Sequence, residues 1–226
     1  FTMAEINGKA RLATLPVRPT EPTSHLEVSD LPLVKNETFE SGAGQWTPTD
    51  ANAWRVIEQE GSKVYSLHRQ SDYKPIHRSP LNYSLLNEVW VGDFDLYARV
   101  ITTQRDYGHR SMCLFFGWQD PEHFYYTHLG QKTDDHANQV FIVNDAPRVK
   151  ISTRTTPGTP WDSEWHTVKI KRRVESGLIE VYWDDMNKPI MTATDKTFTW
   201  GRVGLGAFDD TGNWDDIRLY GVEYKR

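Results

Sequence analysis

The sequence predicts an antiparallel jelly-roll β-sandwich, and three observations carry that expectation. Short stretches alternate apolar and polar residues. The clearest runs from Phe94 to Ile101, with Phe94, Leu96, Ala98 and Val100 on one face and Asp95, Tyr97 and Arg99 on the other. Turn-forming residues separate such stretches, at Asp120-Pro121, Asn144-Asp145, Glu175-Ser-Gly177, Asp184-Asp-Met-Asn187 and Thr211-Gly-Asn213. No segment sustains the apolar period of about 3.6 residues that an amphipathic helix needs. Strands that are apolar on one face bury it by packing sheet on sheet.

In chain order, residues 1–35 hold Pro16, Pro19, Pro22 and Pro32 with little periodicity, and read as an extended arm. A single sandwich domain is expected over residues 36–226. Its expected strands begin with Trp54 to Ile57, Lys63 to His68 and Phe94 to Ile101. Met112 to Trp118, Phe124 to Leu129, Gln139 to Val143 and Arg148 to Thr153 follow. His166 to Lys171 and Leu178 to Trp183 alternate cleanly, and Arg202 to Phe208 and Asp216 to Tyr220 close the chain.

Composition narrows the function. The 226 residues carry a net charge of -5, and a nucleic-acid binder would more often show a basic face. The basic run Lys169-Ile-Lys-Arg-Arg173 alternates like a strand and reads as a solvated face. Mean hydropathy is -0.65, and no stretch approaches the roughly 20 apolar residues of a membrane-spanning helix. Nine Trp, ten Tyr and nine Phe exceed what a modest core demands, and indole faces suit the apolar face of a sugar ring. The single cysteine, Cys113, lies among Met112, Leu114 and Phe115 and is expected to be buried. No signal peptide is visible, as in a mature secreted chain. Asn36-Glu-Thr38 and Asn82-Tyr-Ser84 fit the N-glycosylation pattern.

Four segments resemble the concanavalin A-like lectin/glucanase superfamily, in particular its laminin-G-like and DUF1080 (3-keto-disaccharide hydrolase-like) branches. They are Phe39-Glu-Ser-Gly42 with Trp46, Phe116-Gly-Trp-Gln-Asp-Pro-Glu-His-Phe-Tyr-Tyr126, the pair Trp165 to Lys171 and Ile179 to Asp185, and Thr199 to Tyr220. The resemblance covers residues 36–226. It implies a concanavalin A-like sandwich that handles a polysaccharide or oligosaccharide, secreted or periplasmic. It also implies a structural calcium joining Glu40 to Asp216, with Asp215 as the alternative. Calcium takes six to eight hard oxygens, which such carboxylates and nearby carbonyls supply. On a regular strand Asp215 would share a face with Ile217 and Leu219, and Asp216 would face the other way.

Trp118, Gln119, Tyr125, Tyr107, His109 and Gln139 are the expected ligand-binding residues, able to stack on a sugar and to bond its hydroxyls. His128, Tyr126 and Arg110 would be catalytic if the chain is an enzyme. Tyr126 and His128 share one strand face, and Tyr125 and Thr127 the other. The Glu-x-Asp-x-x-Glu motif of the sandwich glucanases is absent, although glycosidases work with a pair of carboxylates. A lyase would need a Tyr or His base beside a cation. His-Glu-x-x-His and phosphate-loop patterns are also absent. The leading expectation is carbohydrate recognition. A glycan-degrading hydrolase or lyase on the same face is the alternative, and a laminin-G-like protein-interaction module the second.

Overall fold

The computed structural model describes residues 29–225. The expected arm falls mostly on residues 1–28, outside the described residues. Two antiparallel sheets form the sandwich. The nine-stranded sheet has the order β11 (Ser152–Thr155), β14 (Asp185–Thr194), β13 (Leu178–Trp183), β12 (His166–Arg173), β6 (Val91–Thr102), β16 (Gly212–Glu223), β4 (Ser62–Leu67) and β3 (Trp54–Gln59), with β1 (Leu33–Glu37) also paired to β16. The seven-stranded sheet has the order β10 (Val149–Lys150), β9 (Gln139–Asn144), β8 (His123–Gly130), β7 (Ser111–Asp120), β15 (Arg202–Ala207), β5 (Asn82–Leu86) and β2 (Trp46–Pro48).

Alternation places the core. Phe94, Leu96, Ala98 and Val100 of β6 face Met112, Leu114 and Phe116 of β7, with Tyr125, Val140, Leu205 and Trp214 in the same buried cluster. Burying each such side chain contributes roughly 1.5–3 kcal/mol. Cys113 is fully buried on the opposite side of β7, and burial pushes its thiol well above the usual range.

Several expectations are corrected. Phe39-Glu-Ser-Gly42, an opening strand by the resemblance, is a turn: Phe39 has φ 56°, Gly42 has φ 94°, and the Gly42 N–H donates to the Phe39 carbonyl at 2.9 Å. The basic run is not wholly solvated. Lys169 is buried, and its ammonium lies 4.7 Å from the centroid of the Tyr182 ring and 5.4 Å from that of Tyr97. Arg172 points into the sandwich, where its guanidinium donates to the carbonyls of Gly177, Asp195 and Phe198 at 2.7, 2.8 and 3.0 Å. Asn82 is buried with its amide donating to the Phe208 carbonyl at 2.8 Å, which removes it as a glycosylation acceptor.

Regular alternation also fails in the first half of β16. Asp215 pairs with Arg99 and Arg218 with Tyr97, so three steps on β16 match two on β6. The extra residue is Asp216, at φ 49°. This bulge turns Asp215 to the outer face while Ile217 stays in the core, so the two do not share a face.

Candidate functional site

Residues 68–81 connect β4 of one sheet to β5 of the other by way of a long excursion. Loops of this length are uncommon in compact domains unless they do something. Ser71 anchors its start, its N–H donating to Asn82 Oδ1 at 2.7 Å. Tyr73 accepts from the Tyr83 hydroxyl at 3.2 Å and packs edge-on to that ring at 5.4 Å between centroids. At the far tip the Arg78 carbonyl accepts from the Arg148 N–H at 3.1 Å, and His77 Nε2 lies 3.2 Å from Glu122 Oε1. The segment therefore lies across the outer face of the seven-stranded sheet.

Beneath it is a second apolar layer formed by Tyr83, Leu85, Cys113, Phe115, Phe124, Tyr126, Phe141 and Val143. Their rings follow one another across the strands: Tyr83 to Phe115 at 5.0 Å, Phe115 to Tyr126 at 5.8 Å, Tyr126 to Phe141 at 5.1 Å. The guanidinium of Arg148 closes the row, 4.6 Å from the centroid of Phe141 and 4.4 Å from that of Phe208. Its Nη1 donates to the Tyr126 hydroxyl at 2.9 Å.

This layer decides the chemistry of the expected catalytic group. Tyr126 is fully buried, and burial drives its phenol far above the ordinary value despite the nearby Arg148. His128 Nδ1 donates to the His136 carbonyl at 2.8 Å, which leaves Nε2 as an acceptor. That atom is buried without a hydrogen-bond partner, and burial lowers the imidazole pKa to about 4. Both side chains are neutral and sealed at pH 7, unsuited to proton abstraction from a polymer. Arg110 does not join them. Its Nη2 donates to the Trp161 carbonyl at 2.6 Å and its Nε to Gln131 Oε1 at 3.2 Å, on the core side of the sheet end.

The expected ligand residues divide between places too far apart for one site. Tyr107, His109 and Arg110 precede β7, whereas Trp118 and Gln119 stand near its other end, about 25 Å away at 3.3 Å per residue. Tyr107 bonds Asp210 through its hydroxyl, and burial followed by that carboxylate raises its phenol. Asp210 itself accepts from the Ser111 N–H at 2.6 Å. His109 is exposed beside Tyr107. Gln139 is buried with its amide donating to the Asp134 carbonyl at 2.9 Å. Tyr125 lies between the sheets, stacked on Phe116 at 5.3 Å, with its hydroxyl donating to Asp195 and accepting from the Phe198 N–H at 2.9 Å.

Trp118 differs from these. The backbone bulges at Gly117 (φ 56°), where a Cβ would come within 3.0 Å of Tyr125, and this bulge delivers Trp118 to the open margin of the outer face. It is half-buried, with the Arg202 guanidinium 5.4 Å from its ring centroid. Its buried indole N–H lies toward the Tyr83 hydroxyl. Arg202 is held by the Leu86 carbonyl at 2.7 Å and Asn87 Oδ1 at 2.8 Å. Gln119 donates to the Trp200 carbonyl at 3.1 Å, and Trp200 stacks on the exposed ring of Tyr224 at 4.9 Å.

The expected calcium ligands also rearrange. Glu40 Oε1 accepts from Ser62 Oγ at 2.8 Å, and the same hydroxyl lies 3.4 Å from Asp215 Oδ2. Asp216 turns instead to Arg99, at 3.4 Å. Glu40 and Asp215 thus converge, with Asp216 outside the pair. Their donor set is all oxygen and fits a hard cation, although the Lys63 ammonium already holds the Glu40 carbonyl at 3.0 Å.

Arg148, Arg202 and the covering segment were not anticipated from the sequence, nor was the meeting of His77 with Glu122 and Asp145. The Asp120-Pro121 and Asn144-Asp145 turns were legible, and pairing the strands beside them would have brought Glu122 and Asp145 together.

No family model matches the chain, and no curated protein matches it. Solved structures do. The carbohydrate-binding module CBM66 from Bacillus subtilis is 17% identical at a TM-score of 0.57, over 78% of this chain and 96% of that one. Domain 4 of AbnA, an extracellular GH43 arabinanase from Geobacillus stearothermophilus solved with arabinotriose, is 14% identical at 0.56, over 87% and 96%. Winged bean acidic lectin, solved with methyl-α-D-galactose, is 13% identical at 0.52, over 84% and 98%. The chain is thus a two-sheet antiparallel sandwich of the architecture found in lectins and carbohydrate-binding modules.

Proposed function

We propose that the chain recognises a polysaccharide or oligosaccharide without cutting it, at the margin of the seven-stranded sheet around Trp118. One observation carries this reading. Trp118 is only half-buried at the margin, with the Arg202 guanidinium set over its ring, while the rings deeper on the same face are buried. An accessible aromatic face beside fixed polar groups is what stacking on a sugar ring and bonding its hydroxyls require. The solved structures of similar fold that carry sugars in their names support the ligand class. Within that class the motifs favour the laminin-G-like and DUF1080 branches and a secreted or periplasmic setting; the calcium that they imply at Glu40 and Asp216, with Asp215 as the alternative, is better supported at Glu40 and Asp215, which converge on Ser62.

The test is a panel of neutral, uronate-containing and sulfated polysaccharides, scored for protein retained and for new sugar ends released. Retention without new ends is expected. Trp118→Ala should lose retention by about tenfold or more, the equivalent of ~1.4 kcal/mol, while its circular dichroism is unchanged. New ends would establish an enzyme instead. Unaltered retention by a folded Trp118→Ala variant would move the site elsewhere.

A further inference from the structure

At the tip of the covering segment, His77, Glu122 and Asp145 come together from three separate turns. His77 belongs to residues 68–81, Glu122 to the β7–β8 turn and Asp145 to the β9–β10 turn. Each offers one ligand atom, and these atoms all lie within 4.8 Å of one another. His77 Nε2 is 3.2 Å from Glu122 Oε1 and 3.8 Å from Asp145 Oδ1. The turns are fixed relative to one another by backbone, since the Asp145 N–H donates to the Glu122 carbonyl at 3.0 Å.

We propose that these three residues form a binding site for a zinc-class divalent cation that clasps residues 68–81 onto the outer face of the seven-stranded sheet. The chemistry of the donors points to such an ion. One imidazole nitrogen with two carboxylates suits zinc and its neighbours, whereas calcium asks for more oxygens and longer bonds. Bonds of about 2.0–2.2 Å around a tetrahedral ion separate its ligands by about 3.3 Å. The His77–Glu122 spacing of 3.2 Å is close to this, the His77–Asp145 spacing of 3.8 Å exceeds it by a few tenths of an ångström, and the two carboxylates lie within 4.8 Å of each other. Asp145 sits at φ 53° on a tight turn, with its carboxylate 3.8 Å from His77 Nε2.

A second observation is independent of the spacing. His77 Nε2 is buried and makes no hydrogen bond, although a carboxylate oxygen is 3.2 Å away. Its contact with Glu122 is therefore one of proximity, with the nitrogen poorly directed at the oxygen. An ion between the two would give that nitrogen a properly directed partner. The carboxylates remain accessible, with Glu122 36% and Asp145 77% exposed at the side chain, so an ion can enter. A fourth position would fall on the solvent side and take water.

The clasp follows from where the ligands lie. Apart from the Arg78–Arg148 backbone bond, the tip of the segment is held to the sheet here. An ion joining three turns would fix the tip over Phe124 and Tyr126 without any change to the sandwich.

The test uses the full chain, stripped with chelator and titrated calorimetrically with Zn2+ alone. Wild type should bind one equivalent that His77→Ala loses and that Glu122→Gln, which preserves shape, weakens by at least about tenfold. His136→Ala, which removes an exposed histidine elsewhere, should bind like wild type. Co2+ in place of zinc should give the absorption of a tetrahedral site in wild type and not in His77→Ala. Cleavage by a protease within residues 68–81 should speed up on stripping and slow again with Zn2+. Identical titrations for wild type, His77→Ala and Glu122→Gln, all folded by circular dichroism, would overturn the proposal and leave an ordinary histidine–carboxylate ion pair. Cleavage insensitive to Zn2+ would overturn the clasp.

Discussion

Arg148 donates from Nη1 to the hydroxyl of Tyr126 at 2.9 Å, on the face of the seven-stranded sheet that looks away from the main core. The guanidinium also lies against Phe141 and Phe208, so a cation from a turn completes a row of rings. Removing it leaves a buried phenol without that donor and two ring faces without their cover. Arg148→Ala is expected to cost roughly 2–4 kcal/mol, from a charged hydrogen bond of about 1.5–3 kcal/mol and cation–π contacts of about 0.5–2 kcal/mol. Arg148→Lys should recover only part, since an ammonium cannot stack as a planar guanidinium does. Urea denaturation of the three proteins decides this. A loss of under about 0.5 kcal/mol, the scale of an ordinary surface substitution, would show that the row holds without its cation.

Tyr125 and Trp118 belong to opposite faces of the same sheet, and this separates a stability role from a binding role. Tyr125→Phe strands the buried Phe198 N–H, which bonds the hydroxyl at 2.9 Å, and releases Asp195. An unsatisfied buried donor costs about 1–3 kcal/mol, so the variant should melt earlier. Its retention on the glycan that binds wild type should not change. A Tyr125→Phe protein that is stable yet fails to bind would place the ligand between the sheets.

The sandwich was legible where a strand alternates apolar residues with polar or amphipathic ones. β6, β12 and β13 alternate strictly, and the structure pairs them in unbroken register. β5 was missed because it is short and its polar residues, Asn82 and Ser84, read as part of a glycosylation pattern although both are buried in the strand. β14 was missed because Asp184-Asp-Met-Asn187 reads as a turn, and Pro189 falls where the register with β13 shifts. The candidate site suffered from the same limit. Alternation assigns Tyr125 and Tyr126 to opposite faces but is silent on whether a loop roofs one of them. Only the excursion through residues 68–81, held by Tyr73, His77 and Arg78, converts an expected ligand face into a second core. At Asp216 a single inserted residue was enough to reverse the facing of Asp215.

His166 gives a pH dependence. Its Nδ1 is 2.8 Å from Asp184 and its Nε2 2.9 Å from Asp162, with the ring stacked on Trp183 at 4.5 Å. Burial alone would lower its pKa, but the two carboxylates outweigh it and the net shift is upward. A histidine whose pKa is higher folded than unfolded contributes stability that is complete below the unfolded value of about 6.5. That contribution is lost as pH rises through the folded value. Unfolding free energy, compared for wild type and His166→Gln between about pH 5.5 and about pH 9, should show a gap that narrows upward in pH. A gap that widened with pH would mean that the neutral ring is the stabilising form.

The convergence of Glu40 and Asp215 on Ser62 sets up the last prediction. Asp215 is almost wholly buried, and a carboxylate in that position requires compensating charge. A calcium ion coordinated by Glu40, Asp215 and nearby oxygens is one source of it, and the protein's own cations are another, among them the Lys63 ammonium, which reaches the Glu40 carbonyl at 3.0 Å. Calcium that binds only the folded state adds about 2.7 kcal/mol at a hundredfold excess over its dissociation constant. A chelator should therefore lower the melting temperature of wild type, and added calcium should restore it. Asp215→Asn should melt early and ignore both, whereas Asp216→Asn, which alters the contact with Arg99, should stay calcium-responsive. A wild-type melt unmoved by chelator would leave the role to the protein's own groups, and a destabilised Lys63→Met variant would single out Lys63 among them.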